Sequence, residues 1–332
     1  MTAPTGTTQT YQQVGIREDL TDMIYDISPT DTPFLSMAGR VSVKQTKHEW
    51  QKDSLAAADG TNATIEGDDA TNDTASATSR LANYTQLMDK VVEVSSTANA
   101  VNTAGRKQEL SYQIAKRSKE IKRDMEARLT NNYASVAGNA TTARQTGSVE
   151  SWLETNTSRG SGAGATAGAD GGFHSTTGLT VAATDASSTN VRTFTEALLK
   201  TVIADCWNNG GEPDTIMVGK FNKQTASGFS GIATLYRDTA GKNSAKQISI
   251  VGGADVYVSD FGSHKIVPNR FSRDRTALVL DMSYWKVGYL QPFKIDPLAK
   301  TGHADRRMLS VEFALECSNE AASGCVADLT TS

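Results

Sequence analysis

The sequence has few of the features that mark secreted, membrane-spanning or disulfide-bonded proteins. Only three of its 332 residues are cysteine, an odd number at unrelated spacings, which favours synthesis in a reducing cytosol over a disulfide framework. No stretch approaches the roughly 18–20 apolar residues of a membrane helix. Residues 1–13 lack the basic and apolar regions of a secretion signal. We therefore expect a soluble protein, made inside a cell, with no membrane partner.

The residues that build metal, nucleotide or catalytic sites are also sparse. The four histidines are scattered without ligand spacing. His48-Glu49 begins like the zinc-protease motif H-E-x-x-H, but Lys52 occupies the position of the second histidine. The glycine-rich stretch 160–168 has neither the strand before it nor the helix after it that a nucleotide loop requires. Nothing combines a nucleophile, a base and an oxyanion hole, so we expect neither an enzyme nor a cofactor.

A long amphipathic helix is the most prominent predicted element. Between Ala104 and Ser135 the apolar residues recur at spacings of four and seven, which places them on one stripe of a helix on the order of 45 Å long. They are Leu110, Ile114, Ile121, Met125 and Leu129. Other faces of this helix are rich in lysine and arginine, although the net charge of the whole chain is only −4.

The basic face of this helix includes Lys116, Lys119, Lys122 and Arg123, and it has three interpretations. It could be a solvated face with pairs such as Asp124–Arg128 and Lys116–Glu120. It could instead be a subunit contact, or a surface that meets a phosphate backbone. The net charge of the whole chain is nearly balanced, so it does not by itself predict binding to nucleic acid.

Two extended runs, Val41–Leu55 and Arg80–Ser95, flank a stretch with almost no apolar side chains. Ile65 is the only large one between residues 56 and 79, where the charged residues are all acidic. Such a tip cannot bury a core, so the pattern predicts a long protruding hairpin. Unpaired strand edges are unfavourable in a free monomer, and a neighbouring subunit would cover them.

The second half of the chain is predicted to differ from the first. Residues 138–190 are rich in glycine, serine and threonine and predict a flexible insert held by Trp152-Leu153. From about residue 190 an α/β pattern follows: a helix capped at Thr193 and strands at 215–218, 247–251, 256–260, 276–281 and 284–290, with a short helix at 220–227. Residues 306–322 predict a closing strand with one buried face.

This order of parts resembles the major capsid proteins of tailed double-stranded DNA phages, the HK97 fold family. The resemblance is carried by collinear strings over nearly the whole chain rather than by a catalytic signature. They are IREDLTDMIYDISPTDTPFLSM (16–37), HEWQKDSLAAA (48–58), KRSKEIKRDMEARL (116–129), VSDFGSHKIVPNRF (258–271) and RRMLSVEFALE (306–316). The 138–190 insert has no counterpart among them.

The resemblance implies an α+β capsid subunit divided into family parts. These are an N-terminal arm (1–40), an extended hairpin or E-loop (41–95), the spine helix of a peripheral domain (96–137), the insert (138–189), an axial α/β domain (190–298), and a closing strand with a tail (299–332). Inter-subunit contacts are then expected at Ile24, Ile27, Phe34, Trp50, Ile65 and Tyr84. The basic helix face would lie towards the packaged DNA.

The implied function is a head protein, synthesised in the host cytoplasm, whose hexamers and pentamers form an icosahedral shell in the virion. Its partners would be other copies of itself, double-stranded DNA, the portal, and scaffold or decoration proteins. Some relatives crosslink through a lysine of the E-loop; residues 56–79 contain none, so no isopeptide crosslink is expected. Three alternatives stay open: an encapsulin-type nanocompartment, an α/β enzyme with 138–190 as a lid, and a secreted adhesin or surface-layer protein.

Overall fold

The computed structural model describes residues 28–69, 72–73, 77–101, 108–160, 167–229 and 255–331. The helices in these ranges are Pro33–Met37 (α1), Ser96–Ala100 (α2), Glu109–Thr130 (α3), Glu196–Asn208 (α4) and Lys220–Ser227 (α5). The strands of the first half are Gly39–Ser42 (β1), Lys47–Lys52 (β2), Ser79–Tyr84 (β3), Gln86–Ser95 (β4), Asn156–Ser158 (β5), Gly172–His174 (β6) and Leu179–Val181 (β7). Those of the second half are Thr215–Val218 (β8), Val256–Ser259 (β9), Gly262–Pro268 (β10), Ala277–Leu280 (β11), Trp285–Pro297 (β12), Ala304–Cys317 (β13) and Gly324–Val326 (β14).

Two larger sheets and two hairpins contain these strands. One sheet has the order β1-β12-β13-β4, and the other has the order β5-β14-β11-β8-β10-β9. The pairs β2-β3 and β6-β7 form two-stranded ribbons. Strand β12 lies within the predicted axial range 190–298 but pairs with β13, and β14 of the predicted tail joins the six-stranded sheet. The sheets therefore do not coincide with the predicted boundaries, because strands distant in sequence pair with one another.

The long helix is shorter than the sequence pattern predicts. Helix α3 ends at Thr130, where the side-chain amide of Asn131 donates to the Ala127 carbonyl at 2.6 Å and satisfies one of the last free carbonyls. Its 22 residues span about 33 Å. The predicted start at 104–107 lies outside the described residues. Residues 131–135, at the end of the predicted helix, are not helical.

The C-terminal part of the predicted apolar stripe of α3 is buried. Ile121, Met125 and Leu129 are fully buried and share one core with β13. The residues that β13 contributes to this core are Leu309, Val311, Phe313 and Leu315. A second core lies between α4 and one face of the six-stranded sheet; along β8, Ile216 and Val218 point into it while Met217 joins the first core. Every residue of β8 is buried, as expected for a strand covered on both faces.

The closing strand differs from its prediction of a single buried face. From Leu309 to Cys317 every residue of β13 is buried. The two glutamates on its second face are paired: Glu312 accepts from the Thr85 hydroxyl at 2.6 Å, and Glu316 contacts His48 at 2.7 Å. Polar residues on this strand therefore indicate a second packed face rather than a solvated one.

Several local predictions are confirmed and others are wrong. The strand 215–218 and the helix 220–227 have the predicted bounds, whereas β10 was not predicted. Helix α4 is capped by Thr195, whose side chain accepts from the Leu198 N–H, and not by Thr193. The predicted strand at 247–251 lies outside the described residues.

Each arm of the predicted long hairpin is divided between two sheets, because the chain turns at residues 43–46 and at Thr85.

Candidate assembly surfaces

The tip of the hairpin projects without intramolecular cover. All described residues between Asp53 and Arg80 are exposed, including Leu55 (98% exposed) and Ile65 (79%). Among the described residues, the side-chain hydrogen bonds between the two sides of the tip occur at its base, such as Ser79 Oγ to the Lys52 carbonyl at 3.2 Å. Two large aliphatic side chains thus stand in solvent at the end of a two-stranded ribbon.

The base of the same hairpin is firmly attached to the body of the subunit. Trp50 donates from Nε1 to the Cys317 carbonyl at 2.8 Å, and its ring lies 5.3 Å from that of Trp152. Trp152 in turn stacks on Phe173 at 5.5 Å, and His48 lies 5.3 Å from Trp50. A row of four rings therefore connects the hairpin to the insert.

A charged cluster reinforces this attachment. Glu316 contacts His48 Nε2 at 2.7 Å and Lys286 Nζ at 3.1 Å. The hydrogen bond from His48, helped by Lys286, holds the pKa of the Glu316 carboxyl below its usual range although burial opposes this. The carboxylate is thus kept ionised at the junction of β2, β12 and β13.

The structure divides the predicted basic face of α3. Lys116 and Lys119 are exposed, and within the described residues neither ammonium group forms an ion pair or lies over an aromatic ring. The Lys122 ammonium lies 6.0 Å from the centre of the Phe293 ring, and the Arg123 guanidinium lies 5.4 Å from that of Phe271. Of these four side chains, Lys116, Lys119 and Lys122 are exposed and Arg123 is half-buried, so the first two are the ones that lie in solvent without a ring beside them.

The predicted ion pairs along α3 are wrong. Asp124 pairs with Lys90 of β4 at 2.8 Å, and Glu120 pairs with Arg117 at 2.6 Å. Arg128 instead donates to the Thr146 carbonyl and stacks on Tyr133 at 4.5 Å. Burial lowers the pKa of Arg128 to about 10. Arg128 therefore holds the segment after α3 and takes no part in an exposed basic surface.

The six predicted inter-subunit residues have different positions. Ile65 is exposed, as a contact residue must be, and Tyr84 is half-buried. Trp50 is half-buried within its own subunit. Phe34 is fully enclosed in the core of its own subunit, 6.5 Å from the Trp285 ring, so its prediction as a contact is wrong. Ile24 and Ile27 lie outside the described residues.

Residues 149–153 of the insert belong to the core of the subunit. Val149, Trp152 and Leu153 are fully buried. Between them Glu150, also without exposure, pairs with Arg273 at 2.9 Å and with Arg159 at 3.4 Å. The predicted anchoring by Trp152-Leu153 is confirmed, whereas the prediction of flexibility is wrong for residues 149–153, because three apolar side chains and one paired carboxylate are buried there. Residues 161–166, inside the glycine-rich stretch, lie outside the described residues.

A single aspartate, Asp328, binds two points of the insert, one near its middle and one near its end. Asp328 is fully buried and accepts from the Gly160 N–H at 3.0 Å and from the Ala186 N–H at 2.8 Å. Its φ of 57° lies in the left-handed region, which non-glycine residues rarely adopt. The sequence alone contains no signal for this residue, because the partners of its side chain lie 53 to 168 positions away.

Chemically reactive side chains are scattered or enclosed. Within the described ranges, no three His, Cys, Asp or Glu side chains lie close enough to hold a metal ion. The three cysteines are buried and unpaired, and burial raises the pKa of Cys206 and of Cys325 to about 12. In the part of the chain that the structure describes, no helix is long and apolar enough to cross a membrane.

The family model of the SU10 major capsid protein matches residues 3–330 of this sequence. The chain belongs to the SU10 major capsid protein family. A curated relative, the major capsid protein of Escherichia phage Phieco32, is 31% identical over 334 aligned residues, which cover 95% of this chain and 94% of the relative. The subunit is therefore a phage major capsid protein, part of the virion, that assembles into an oligomeric shell.

Solved structures agree with this assignment at the level of fold. The capsid of a native GTA particle superposes with a TM-score of 0.59 at 11% identity and covers 97% of this chain and 98% of its own. The SrpI encapsulin of Synechococcus elongatus PCC 7942 gives a TM-score of 0.53 at 10% identity, covering 95% of this chain and 93% of its own. These identities show the shared HK97-type fold alone. The family model that matches this chain is that of a major capsid protein, and the 31% identical relative is a phage major capsid protein. These two matches decide between a phage capsid and an encapsulin.

Proposed function

We propose that this capsid protein forms the hexamers and pentamers of an icosahedral shell around double-stranded DNA, with the hairpin and N-terminal arm laid over neighbouring subunits. The observation that carries the proposal is the contrast within one ribbon: its base is held by Trp50 and His48, while its tip is uncovered from Asp53 onwards. A two-stranded ribbon is marginal on its own. A neighbouring subunit would supply the missing cover.

The energetics favour repeated weak contacts over one strong contact. Full burial of an aliphatic side chain such as Leu55 or Ile65 is worth about 1.5–3 kcal/mol. Each subunit of a shell would bury its own tip on one neighbour and cover the tip of another. Many contacts of modest free energy would therefore stabilise the shell together. The proposed role is structural, without a catalytic step, and the family division into arm, hairpin, spine, insert, axial domain and closing strand is retained as part of the proposal.

Replacing Ile65 with aspartate tests the hairpin contact. We expect loss of shells in electron micrographs and a subunit-sized species in analytical ultracentrifugation, because a charge would be buried at every contact. The melting temperature of the isolated subunit should not change, since the Ile65 side chain is 79% exposed and belongs to neither core of its own subunit. Thr64→Asp, the same change one residue earlier, is the matched control and should still assemble. Normal shells from Ile65→Asp would contradict the proposal.

The basic face supports a second part of the proposal, a contact with packaged DNA. Lys116 and Lys119 are exposed members of that face with no aromatic ring of the described chain beside them, and phosphate contacts of this kind need no base sequence. The double variant Lys116→Glu/Lys119→Glu should give shells of normal size that retain less DNA on exposure to raised salt. Lys265→Glu, an exposed lysine of the six-stranded sheet, should behave like the wild type. Equal DNA retention in both variants would reject a DNA-facing role.

The remaining predicted partners are the portal and scaffold or decoration proteins. We further propose that mature shells contain no isopeptide crosslink through the hairpin tip. The lysines nearest to the tip lie on β2, and Lys47 already pairs with Glu49 at 2.8 Å. A ladder of covalent multimers on a denaturing gel of mature particles would refute this expectation.

A further inference from the structure

A groove lies beside the start of β4. Its volume is about 480 Å³, which is within the range of ligand pockets in proteins. Its walls combine apolar and small residues with one arginine and one aspartate, and those that matter are Leu87, Asp89, Ala137, Gly138 and Arg144. Leu87 is 57% exposed and Asp89 is also exposed, so the isolated subunit leaves this groove open.

The groove lies on the face of the four-stranded sheet that α3 does not cover. Val92 and Val94 of β4 belong to the core that α3 shares with β13, and successive side chains of a strand point to opposite faces. Leu87, Asp89 and Val91, which is 42% exposed, therefore point away from α3. Strand β4 is also the edge of its sheet, and an exposed apolar edge favours pairing or contact with another chain. This surface is thus separate from the basic face of α3.

The opposite wall of the groove is a well-fixed turn, residues 137–144. Its base is closed by two backbone hydrogen bonds between Val136 and Gln145, at 2.9 and 3.0 Å. Gly138 has a φ of 75°, and a Cβ at this position would lie 2.7 Å from Cγ of Arg144, so only glycine lets the turn pack this closely on the arginine. The groove is therefore shaped before a partner arrives, which lowers the entropic cost of binding.

Arg144 lacks an acceptor in the isolated subunit. Its Nη2 donates to Glu312 at 2.8 Å, whereas its buried Nε has no hydrogen-bond partner among the described residues. The Arg144 side chain is 37% exposed at the wall of the groove. An incoming carboxylate would give the guanidinium a second acceptor, and hydrogen bonds between arginine and carboxylates are among the strongest in proteins. Asp89 on the other wall disfavours a partner with many acidic groups there, so the groove suits an apolar side chain next to one carboxylate.

The apex of the hairpin tip has this composition and a defined shape. The Asp68 N–H donates to the Ile65 carbonyl at 3.1 Å, and Gly67 adopts a φ of 86°, as the third residue of a tight turn can. The turn presents Ile65 next to Glu66, and both are exposed. Because Ile65 is 79% exposed and Leu87 is 57% exposed in the same subunit, the tip does not occupy the groove of its own chain.

We propose that this groove receives the hairpin tip of a second copy of the chain, with Ile65 against Leu87 and Glu66 at Arg144. The inference rests on the proposed function and names the surface on which the tip lies. Each copy then offers one tip and one groove, the head-to-tail arrangement from which rings are built. DNA is a poorer occupant, because Asp89 would repel its phosphates and the apolar wall would stay uncovered.

Disulfide formation between two variants tests the pairing. Ile65→Cys and Leu87→Cys proteins are assembled together in equal amounts and oxidised, so a bond between the two positions can only join different subunits; the native cysteines are buried. We expect a covalent 65–87 link, since a disulfide needs Cα atoms within about 7 Å. Val258→Cys, at a side chain 64% exposed on the six-stranded sheet, replaces Leu87→Cys in the control and should give no link.

Shells without the 65–87 link, or with equal linkage between residue 65 and residue 258, would overturn the proposal. If Ile65→Asp abolishes shells in that case, the hairpin contact stands and this groove is not its receiving surface. Normal shells from Ile65→Asp would instead reject the hairpin contact itself. The two failures are therefore distinguishable.

The charges at the groove provide an independent measurement, the lowest protein concentration at which shells form. Glu66→Lys should raise this concentration about tenfold, because the contact with Arg144 is lost. Asp73→Lys, the same charge change in the tip but away from the turn, is the matched control and should change it by less than about twofold. Asp89→Asn should lower it, because a like charge is removed from the groove. Equal effects of the two lysine variants, or no decrease in Asp89→Asn, would overturn the proposal.

Discussion

The hairpin tip and the insert have similar compositions, yet the structure treats them in opposite ways. Residues 56–79 and 138–189 are both rich in small polar residues and poor in large apolar ones. The described tip is exposed throughout, whereas the insert places Val149, Trp152 and Leu153 in the core. Composition alone therefore does not distinguish a segment that is exposed in the isolated subunit from one that is packed in its core.

The spacing of the few apolar residues explains the difference. In the insert, three of them fall within five positions, around Glu150, so that one turn of chain can bury them all and satisfy the carboxylate with two arginines. In the tip, Leu55 and Ile65 are ten positions apart and no buried charge accompanies them. Their burial requires a surface from outside the subunit.

The largest expected effect in this comparison comes from truncating Trp152. Trp152→Ala should lower the free energy of unfolding by about 4 kcal/mol, because a buried indole is replaced by a cavity. Leu55→Ala, the corresponding truncation in the tip, should change it by less than about 0.5 kcal/mol. Chemical denaturation of isolated subunits measures both values. A small effect of Trp152→Ala would mean that the insert is not part of the folded core.

Neutralising Glu150 should have the next largest effect. Glu150→Gln removes a buried carboxylate from Arg273 and Arg159 and should lower the free energy of unfolding by about 3 kcal/mol. This value is at the lower end for a broken buried ion pair, because each arginine keeps another acidic partner. Asp170→Asn is the matched control: it removes the other partner of Arg159, at a side chain 39% exposed, and should cost less than about 1 kcal/mol. Equal losses in the two variants would contradict the buried role of Glu150.

A smaller effect is expected from pH at the base of the hairpin. Because the pKa of Glu316 is lowered in the folded subunit, its contribution to stability is complete above the ordinary glutamate pKa and is lost as the pH falls through the lowered value. Acidification below about pH 4 should therefore weaken the junction of β2 and β13. The difference in unfolding free energy between wild type and Glu316→Gln, measured from neutral to acidic pH, should shrink on acidification. A constant difference would contradict this assignment.

The sequence predicts those parts of the fold whose pattern is local. The buried run 215–218, the helix 220–227 and the apolar stripe of α3 follow from short-range periodicity, and the structure confirms them. The second packed face of β13 could not be predicted, because Glu312 and Glu316 look solvent-facing until Thr85 and His48 are brought to them from more than two hundred positions away. The family resemblance succeeded where local patterns could not, since collinear strings carry the long-range arrangement.

The candidate surfaces show the same limit. Ile65 was predicted as a contact because no other apolar residue surrounds it in sequence, and the structure leaves it exposed. Phe34 was predicted on the basis of its place in the arm, but Glu126 binds the backbone next to it and draws the ring into the core. An arm residue can therefore belong to the interior of its own subunit.

Hydrogen exchange of residues 53–69, compared between isolated subunits and assembled shells, tests the central claim most directly. We predict fast exchange in the subunit and at least about tenfold slower exchange in the shell, because a neighbour covers the tip only after assembly. Residues 145–160 of the insert should be protected in both states. Equal exchange of the tip in subunits and shells would contradict the claim that its uncovered side chains are assembly contacts.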